Sequence, residues 1–428
     1  VFSFLYNCAL FVFFLCLLPK FIWQVCFLGK YRNSLKQRLG LALPPVSLNP
    51  GQKLLWIHAV SVGETRAVIP LYRQLKAQFP NMAIVISTTT ETGCEEAKRS
   101  LPGAHAHFFL PFDFSWIVKK YLDHFRPSYL ILVESDFWYQ LLSQAKKRGA
   151  HIFLINGKIS ERSTQRFQKI PAFSRALFSC FDIFCVQNAL YRERFLSLGA
   201  PEHKLHVTGN IKLDLAPQIL SAEQKHAFRE ELGINPRDPI LVIGSSHEPE
   251  EEWLLSALDT VWQEVPALKV LLVPRHPERF AKVAQLLKER GIDTLTYSQR
   301  AQKKGGEKVV LIDAMGLLNS CYQIAQIAIV AGSFASHVGG HNIFEPVVFH
   351  VPVLFGPHMQ GQPDLTQLIL QSHAGKQVAL EELPQTLLEW LTQPQLYRHH
   401  VSACDALCIQ VKGSTQRTLE QILPYFHS

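Results

Sequence analysis

Two carboxylates, a lysine and an arginine stand where apolar runs of this chain give way to glycine or to a helix start. Glu64 closes the run His58-Ala59-Val60-Ser61-Val62-Gly63-Glu64. Glu134 follows Leu130-Ile131-Leu132-Val133, Lys212 lies in Gly209-Asn210-Ile211-Lys212, and Arg275 follows the apolar residues 270–273. A carboxylate in the first turn of a helix is favoured in its ionised form and can take a proton from a hydroxyl. Ammonium and guanidinium groups suit phosphates and carboxylates. Each residue also has a plainer reading. Ser61-x-x-Glu64 has capping-box spacing, and in that reading Glu64 only ties back to the Ser61 amide. In its plainer reading Lys212 is a solvated lysine beside a linker. A carboxylate at the position of Glu134 is costly unless it meets water, a cation or a ligand.

The densest signal is Gly332-Ser333-Phe334-Ala335-Ser336-His337-Val338-Gly339-Gly340-His341-Asn342-Ile343-Phe344-Glu345-Pro346, which follows the apolar residues 327–331. A strand passing through glycines into a helix start is a way to build an anion site, because backbone N–H groups can approach a phosphate. Glu345 would then accept hydrogen bonds from ribose hydroxyls. In the alternative reading the loop is merely Gly-rich and Asn342 is an ordinary N-cap. Further corners of this kind are Gly244-Ser245-Ser246-His247-Glu248, Pro274-Arg275-His276-Pro277-Glu278-Arg279 and Asp313-Ala314-Met315-Gly316-Leu317. Gly-x-Gly-x-x-Gly after a strand is missing, which argues against a nicotinamide or flavin dehydrogenase. The P-loop motif is missing too, and so is Asp-x-Asp, the usual pair of ligands for a metal-bridged nucleotide diphosphate.

Such corners need parallel sheets to carry them. Strands are predicted at 54–60, 83–87, 107–110, 129–133, 152–155 and 182–186. Helices are predicted between them at 66–78, 116–125, 137–148 and 190–198. A polar stretch at 212–239 interrupts this alternation. Strands then resume at 240–243, 270–273, 309–312, 327–331 and 353–355, with helices at 250–265, 278–290, 317–324 and 363–370. Alternating strands and helices imply parallel sheets covered on both faces. The expectation is α/β, with two Rossmann-like halves and ligands beyond the carboxyl ends of the strands, in a cleft where the two sheets face each other. The predicted boundaries are 1–28 for a membrane anchor, 29–53 for a linker, 54–214 for the first domain and 215–238 for an interdomain linker. The second domain is placed at 239–412. A C-terminal helix at 413–428 is expected to return to the first domain.

The 428 residues carry a net charge of +8. Six of those charges (Lys20, Lys30, Arg32, Lys36, Arg38 and Lys53) precede the first acidic residue, Glu64. The remainder is close to neutral, so a nucleic-acid partner is not expected. Residues 1–19 are uncharged and apolar, and at about 1.5 Å per residue they match the roughly 30 Å hydrocarbon core of a bilayer. The run has no basic stretch before it and no small-residue cleavage site after it, so an uncleaved anchor is expected rather than a signal peptide. The positive-inside rule puts the rest of the chain on the cytoplasmic side. Lys30-Tyr31-Arg32 and Lys36-Gln37-Arg38 would lie on anionic headgroups, with Trp23 at the interface. Nine scattered cysteines without a Cys-x-x-Cys pair suggest a reducing compartment and no structural zinc.

Five ordered stretches together resemble the Kdo transferases, which attach 3-deoxy-D-manno-oct-2-ulosonic acid to lipid A. They are 58–64, Glu134-Ser135-Asp136-Phe137-Trp138, Gly209-Asn210-Ile211-Lys212-Leu213-Asp214, 275–279 and Gly339-Gly340-His341-Asn342-Ile343-Phe344-Glu345-Pro346. The resemblance implies a GT-B fold, CMP-Kdo as donor and a lipid A precursor (lipid IVA) as acceptor at the bacterial inner membrane. It implies Glu64 as general base, with Glu134 and Lys212 assisting at the transition state. It also implies nucleotide contacts at Pro274 and Arg275, at Met315, Gly316 and Leu317, and at Asn342, Ile343, Phe344 and Glu345. No cofactor and no metal are implied. Departures from the family pattern occur at Gly157-Lys158-Ile159, where many members have Ala-Arg-Leu, at Phe344 in place of Leu, and around residues 358–362.

A CMP-linked sugar carries one phosphate and the Kdo carboxylate, a charge that Lys212, Arg275 and helix N-termini can offset. One-step inversion through an oxocarbenium-like state is expected, with Glu64 taking the acceptor proton. Lys158, Arg162, Arg166 and Lys169 are either contacts for lipid A phosphates or a solvated basic face. The competing functions are a GT-B transferase or epimerase using a UDP-sugar, and a non-catalytic, membrane-anchored nucleotide-binding protein.

Overall fold

The structure, a computed structural model, describes residues 2–27, 34–214 and 218–427. It divides into two compact units, Val1–Ala216 with Val411–Ser428, and Pro217–Gln410.

In the first unit seven strands form one parallel sheet: β1 Leu54–His58, β2 Ala83–Thr88, β3 Ala106–Phe109, β4 Tyr129–Val133, β5 His151–Gly157, β6 Ile183–Val186 and β7 Leu205–Val207. The order is β3-β2-β1-β4-β5-β6-β7. In β1 the side chains alternate between two cores. Leu54 and Trp56 pack on one face with Phe108, Tyr121 and Phe125, while Leu55 and Ile57 pack on the other with Leu71 and Leu75. Burial on both faces is why these strands read as continuous apolar runs. The order reverses between β1 and β4. At such a switch point the following loops diverge to opposite faces and leave a crevice at the carboxyl ends.

The second unit repeats the plan with β8 Ile240–Ser246, β9 Lys269–Pro274, β10 Thr294–Thr296, β11 Val309–Leu311, β12 Ile327–Val330, β13 Val353–Phe355 and β14 Gly375–Gln377. Its order is β10-β11-β9-β8-β12-β13-β14, so its switch point lies between β8 and β12. β7, β10 and β14 were not predicted; each is short and mixes in polar residues (Leu-His-Val, Thr-Leu-Thr and Gly-Lys-Gln), so no apolar run shows, unlike the equally short β11 and β13.

The stretch expected to be an interdomain linker, 215–238, contains the helix Ala222–Glu231, closed by a full capping box between Ser221 and Gln224. Ser-x-x-Gln was the local signal for it. Leu220 N–H donates to Gln323 Oε1 and Gln323 Nε2 donates to the Gln218 carbonyl, which fixes this stretch to the second unit. Residues 215–217 lie outside the described residues. The helix predicted at 66–78 is two helices, Val62–Ala67 and Ile69–Gln78, separated at Val68 just before Pro70.

The expected linker at 29–53 also departs from expectation. Lys30, Tyr31 and Arg32 lie outside the described residues. Arg38, expected on headgroups, is instead buried: its Nε donates to Ser34 Oγ at 3.1 Å and its guanidinium donates to the Thr89 carbonyl. The N-terminal helix Phe2–Cys26 is uncharged up to Lys20, and Phe2–Lys20 is long and apolar enough to cross a membrane. One stripe of it is docked on the first unit. Ser3 Oγ donates to Gln140 Oε1, Asn7 Nδ2 donates to Ser115 Oγ, and Tyr6 and Phe14 pack against Tyr139, Phe173 and Phe112. Phe4, Leu5, Phe11, Val12 and Phe13 remain exposed.

The C-terminal helix Ser414–Ile422 belongs to the first unit. Its Leu419 and Ile422, together with Phe426, complete the core face that contains Leu55 and Ile57.

Candidate functional site

At the switch point of the first sheet, β1 leads through Ser61 into the helix Val62–Ala67. Ser61 is extended and its Oγ accepts the Glu64 N–H. The Glu64 carboxylate returns the tie, but to the residue before the cap: Oε2 accepts the Val60 N–H at 2.7 Å. The capping reading is thus correct in kind, and it also holds the carboxylate rigidly at the strand end. Glu64 is 9% exposed. Burial pushes its pKa above the ordinary value; Glu134 and Asp136 add to that, while the Val60 amide and Lys212 oppose it.

β4, the strand across the switch point, ends at Glu134. This residue has left-handed backbone (φ 69°), a conformation that is costly for a side chain with a Cβ. Its N–H donates to the Ile155 carbonyl and its own carbonyl accepts the Lys158 N–H, so β5 and the residue that follows it hold it on both sides. The buried carboxylate pairs with Lys158 Nζ at 2.6 Å and with Lys212 Nζ, and accepts from Asn156 Nδ2 at 3.2 Å. Burial alone would raise its pKa. The two ammonium groups outweigh burial and hold it below the usual carboxylate value. Neighbouring carboxyls are thereby driven apart, Glu64 up and Glu134 down, a pattern typical of acid–base sites.

Lys212 sits in a short 3₁₀ turn, Ile211–Asp214, with its ammonium beside Gly63: a Cβ on that glycine would stand 3.8 Å from Nζ. The turn is fastened by Asn156, whose Oδ1 accepts the Ile211 N–H. The C-terminal helix fastens it too, since the Thr415 N–H donates to Asp214 Oδ2. Below the site, Asp136 accepts from Trp138 Nε1 and pairs with His58 Nε2, both at 3.2 Å. His58 Nδ1 meets Ser87 Oγ at 2.9 Å. The structure therefore brings Glu64, Glu134 and Lys212 together. It adds two residues that the sequence reading did not place there, Asn156 and Lys158. Asn156, a polar residue directly after Ile152–Ile155 and before a glycine, was the available signal. Lys158, expected either on lipid phosphates or on a solvated basic face, is engaged with Glu134 instead. Arg162, Arg166 and Lys169 are exposed on and just beyond the helix Glu161–Gln168.

In the second unit the corners after β9, β11 and β12 carry the residues expected to hold the nucleotide. Pro274 ends β9, and the Arg275 N–H donates to the Ser246 carbonyl at the end of β8. Met315 is exposed and Gly316 has φ 88° with no atom near its missing Cβ. The side chains of Ile343 and Phe344 are buried in the protein. Asn342 Oδ1 accepts the Phe344 N–H and its Nδ2 reaches Glu345 Oε1 at 3.4 Å. Burial raises the Glu345 pKa, opposed by Asn342 and Arg275.

The expected phosphate cradle in the Gly-rich run is partly taken. The amides of Gly332, Phe334 and Ala335 donate to the fully buried carboxylate of Glu250, at 2.7, 2.9 and 3.2 Å. An acid from the helix after β8 thus occupies the place where the first turn was expected to grip an anion, and it shapes the loop that follows. The helix after the loop is short, Phe344–Val347. Beside it His247 Nε2 and His341 Nε2 stand 2.8 Å apart, with the His276 ring 5.2 Å from that of His247. Burial, then His247, Arg275 and His276, lowers the His341 pKa to about 4.

Residues 33–215 match the family described as 3-Deoxy-D-manno-octulosonic-acid transferase (kdotransferase). The 3-deoxy-D-manno-octulosonic acid transferase of Chlamydia trachomatis serovar D is 34% identical over 424 residues, covering 97% of this chain and 95% of that protein. The chain belongs to the 3-deoxy-D-manno-octulosonic acid (Kdo) transferase family. The transferase of Haemophilus influenzae is 32% identical over 413 residues, 94% of this chain and 95% of its own length. Membership makes the chain a glycosyltransferase. Among solved structures, UDP-GlcNAc 2-epimerase from Neisseria meningitidis aligns with TM-score 0.61 and 13% identity, over 87% of this chain and 100% of that one. At that identity the likeness is one of fold, the two-unit GT-B class.

Proposed function

We propose that this transferase moves Kdo from CMP-Kdo to a lipid A precursor, lipid IVA, in lipopolysaccharide biosynthesis, with inversion at the anomeric carbon. The observation that carries the reading is the pairing of Glu64 and Glu134 at one switch point, one carboxyl of raised and one of lowered proton affinity. Glu64, held by Val60 and Ser61 yet open to Lys212, takes the proton of the acceptor hydroxyl as that oxygen attacks. The bond from the anomeric carbon to phosphate breaks, and CMP leaves with the electron pair. Glu134 stays ionised and, with Lys212, stabilises the positive charge that develops on the sugar and the negative charge of the Kdo carboxylate. Arg275, Met315–Leu317 and Asn342–Glu345 hold CMP. Lysine and arginine supply the positive charge, so the reading calls for no metal and no cofactor.

The N-terminal helix supports a place at the bacterial inner membrane, with the catalytic units on the cytoplasmic side. Its exposed stripe of Phe and Leu fits acyl chains, and its docked stripe holds the first unit close to them. Arg162, Arg166 and Lys169 are then available to lipid phosphates.

Incubation with CMP-Kdo and a tetraacylated lipid A precursor, followed by mass spectrometry of the lipid, tests the proposal. Addition of Kdo supports it. Turnover of UDP-sugars with none of CMP-Kdo overturns it, as does a lipid whose mass stays unchanged while CMP still binds.

A further inference from the structure

The carboxylate of Glu134 has two ammonium groups against it, and their contacts are not equivalent. Oε1 takes Lys212 and the Asn156 amide, whereas Oε2 takes Lys158. Among the described residues no other donor is recorded at Oε2. Lys158 also holds Glu134 through the main chain, its N–H donating to the Glu134 carbonyl at 3.2 Å. One residue therefore grips both the backbone and the far carboxylate oxygen of a side chain whose own φ is left-handed.

We propose that Lys158 is a positioning residue of the transferase centre, clamping the second oxygen of Glu134 so that Lys212 stays on the first. This rests on the reading of Glu64 as base and deepens it. Lys158 acts through Glu134. The groups facing Glu134 are Lys158, Lys212, Asn156 and Glu64; those facing Glu64 are Ser61, Glu134, Lys212 and Asp136. Without Lys158, a buried oxygen loses its donor, which is costly. The carboxylate then turns to share Lys212, and Lys212 is drawn from its place beside Gly63. A carboxyl that loses a cation also binds its proton more tightly. Glu134 would therefore be neutralised at a higher pH than in the wild type.

The test compares Lys158→Met, Lys158→Arg, Glu134→Gln and the Lys158→Met/Glu134→Gln double variant. Kdo transfer from CMP-Kdo is followed across the acidic and neutral range, with melting curves to verify folding. Lys158→Met is expected to lower kcat by about tenfold to a hundredfold, the scale of a displaced catalytic group, with little change in donor KM. The acid limb, set in the wild type by Glu64, moves to higher pH as Glu134, left with one cation, comes to take up its proton in the same range. Lys158→Arg recovers most of the loss and returns the limb. In the Glu134→Gln background Lys158→Met costs little more, because both changes act through one group. An equal loss from Lys158→Met in both backgrounds overturns the proposal, as does an unchanged kcat and acid limb. Glu64→Gln keeps the two readings apart: turnover surviving that change defeats the base reading, while the coupling of Lys158 to Glu134 still decides the positioning role.

Discussion

At the scale of single residues, what matters is how neighbouring carboxyls are driven apart. Glu64 is buried and faces two acids; Glu134 is buried and faces two lysines. A general base works only when deprotonated, so a raised pKa moves the acid limb of kcat/KM above the ordinary carboxyl range. We expect Glu64→Gln to remove about two to four orders of magnitude of turnover while CMP affinity, measured by calorimetry, stays near wild type. The same reasoning in reverse applies to His341, whose pKa falls from 6.5 to about 4 in the fold. The unfolded chain takes the proton first, so stability is lost as pH drops below 6.5 and the loss continues down to about 4. His341→Gln should flatten that part of the stability curve in urea titrations, whereas an unaltered slope would assign the effect elsewhere.

Among the elements, the loops after the strands are held by buried polar residues rather than by glycine alone. Glu250, on the helix after β8, accepts four amides: those of His247, Gly332, Phe334 and Ala335. A glutamine there presents one acceptor oxygen and turns an NH₂ group toward donors. Glu250→Gln should cost about 1–3 kcal/mol, seen as a lower melting temperature, and should weaken CMP binding more than it alters the chemistry of bound donor. The glycines of this run suggested an anion site, but three amides of its first turn are taken by a carboxylate some eighty positions earlier. Nothing local to the run could reveal it, because the contact joins the helix after β8 to the loop after β12. Glu64, in contrast, was readable, since its tie to Val60 and Ser61 lies within four residues.

For the whole molecule, a helix far along the chain completes the core of the first unit. The helix Ser414–Ile422 covers the sheet with Leu419, Ile422 and the following Phe426. Through Arg417 and Thr418 it bonds Thr208, just ahead of the Lys212 turn. Leu419→Ala should destabilise the first unit by about 2–4 kcal/mol, and, because Asp214 bonds the same helix, lower turnover beyond the loss of folded protein. The N-terminal helix leaves a stripe of apolar side chains exposed, which faces lipid under the proposed membrane placement. Phe11→Lys should reduce co-sedimentation with anionic vesicles and leave the melting temperature nearly unchanged, as Phe11 is 52% exposed.

Local pattern alone determined the two α/β halves, most strands, the apolar N-terminus and the positions of Glu64, Glu134, Lys212 and Arg275. Strand periodicity and strand-end chemistry are properties of adjacent residues, so they survive in a linear reading. Tertiary structure decided which groups meet. It brought Lys158 and Asn156 to Glu134 across β4 and β5, sent Glu250 into the loop after β12, buried Arg38 against the Thr89 carbonyl, and set His341 beside His247. These are contacts between segments far apart in the chain. Burial and charge act over a few ångströms of space, whatever the separation in sequence.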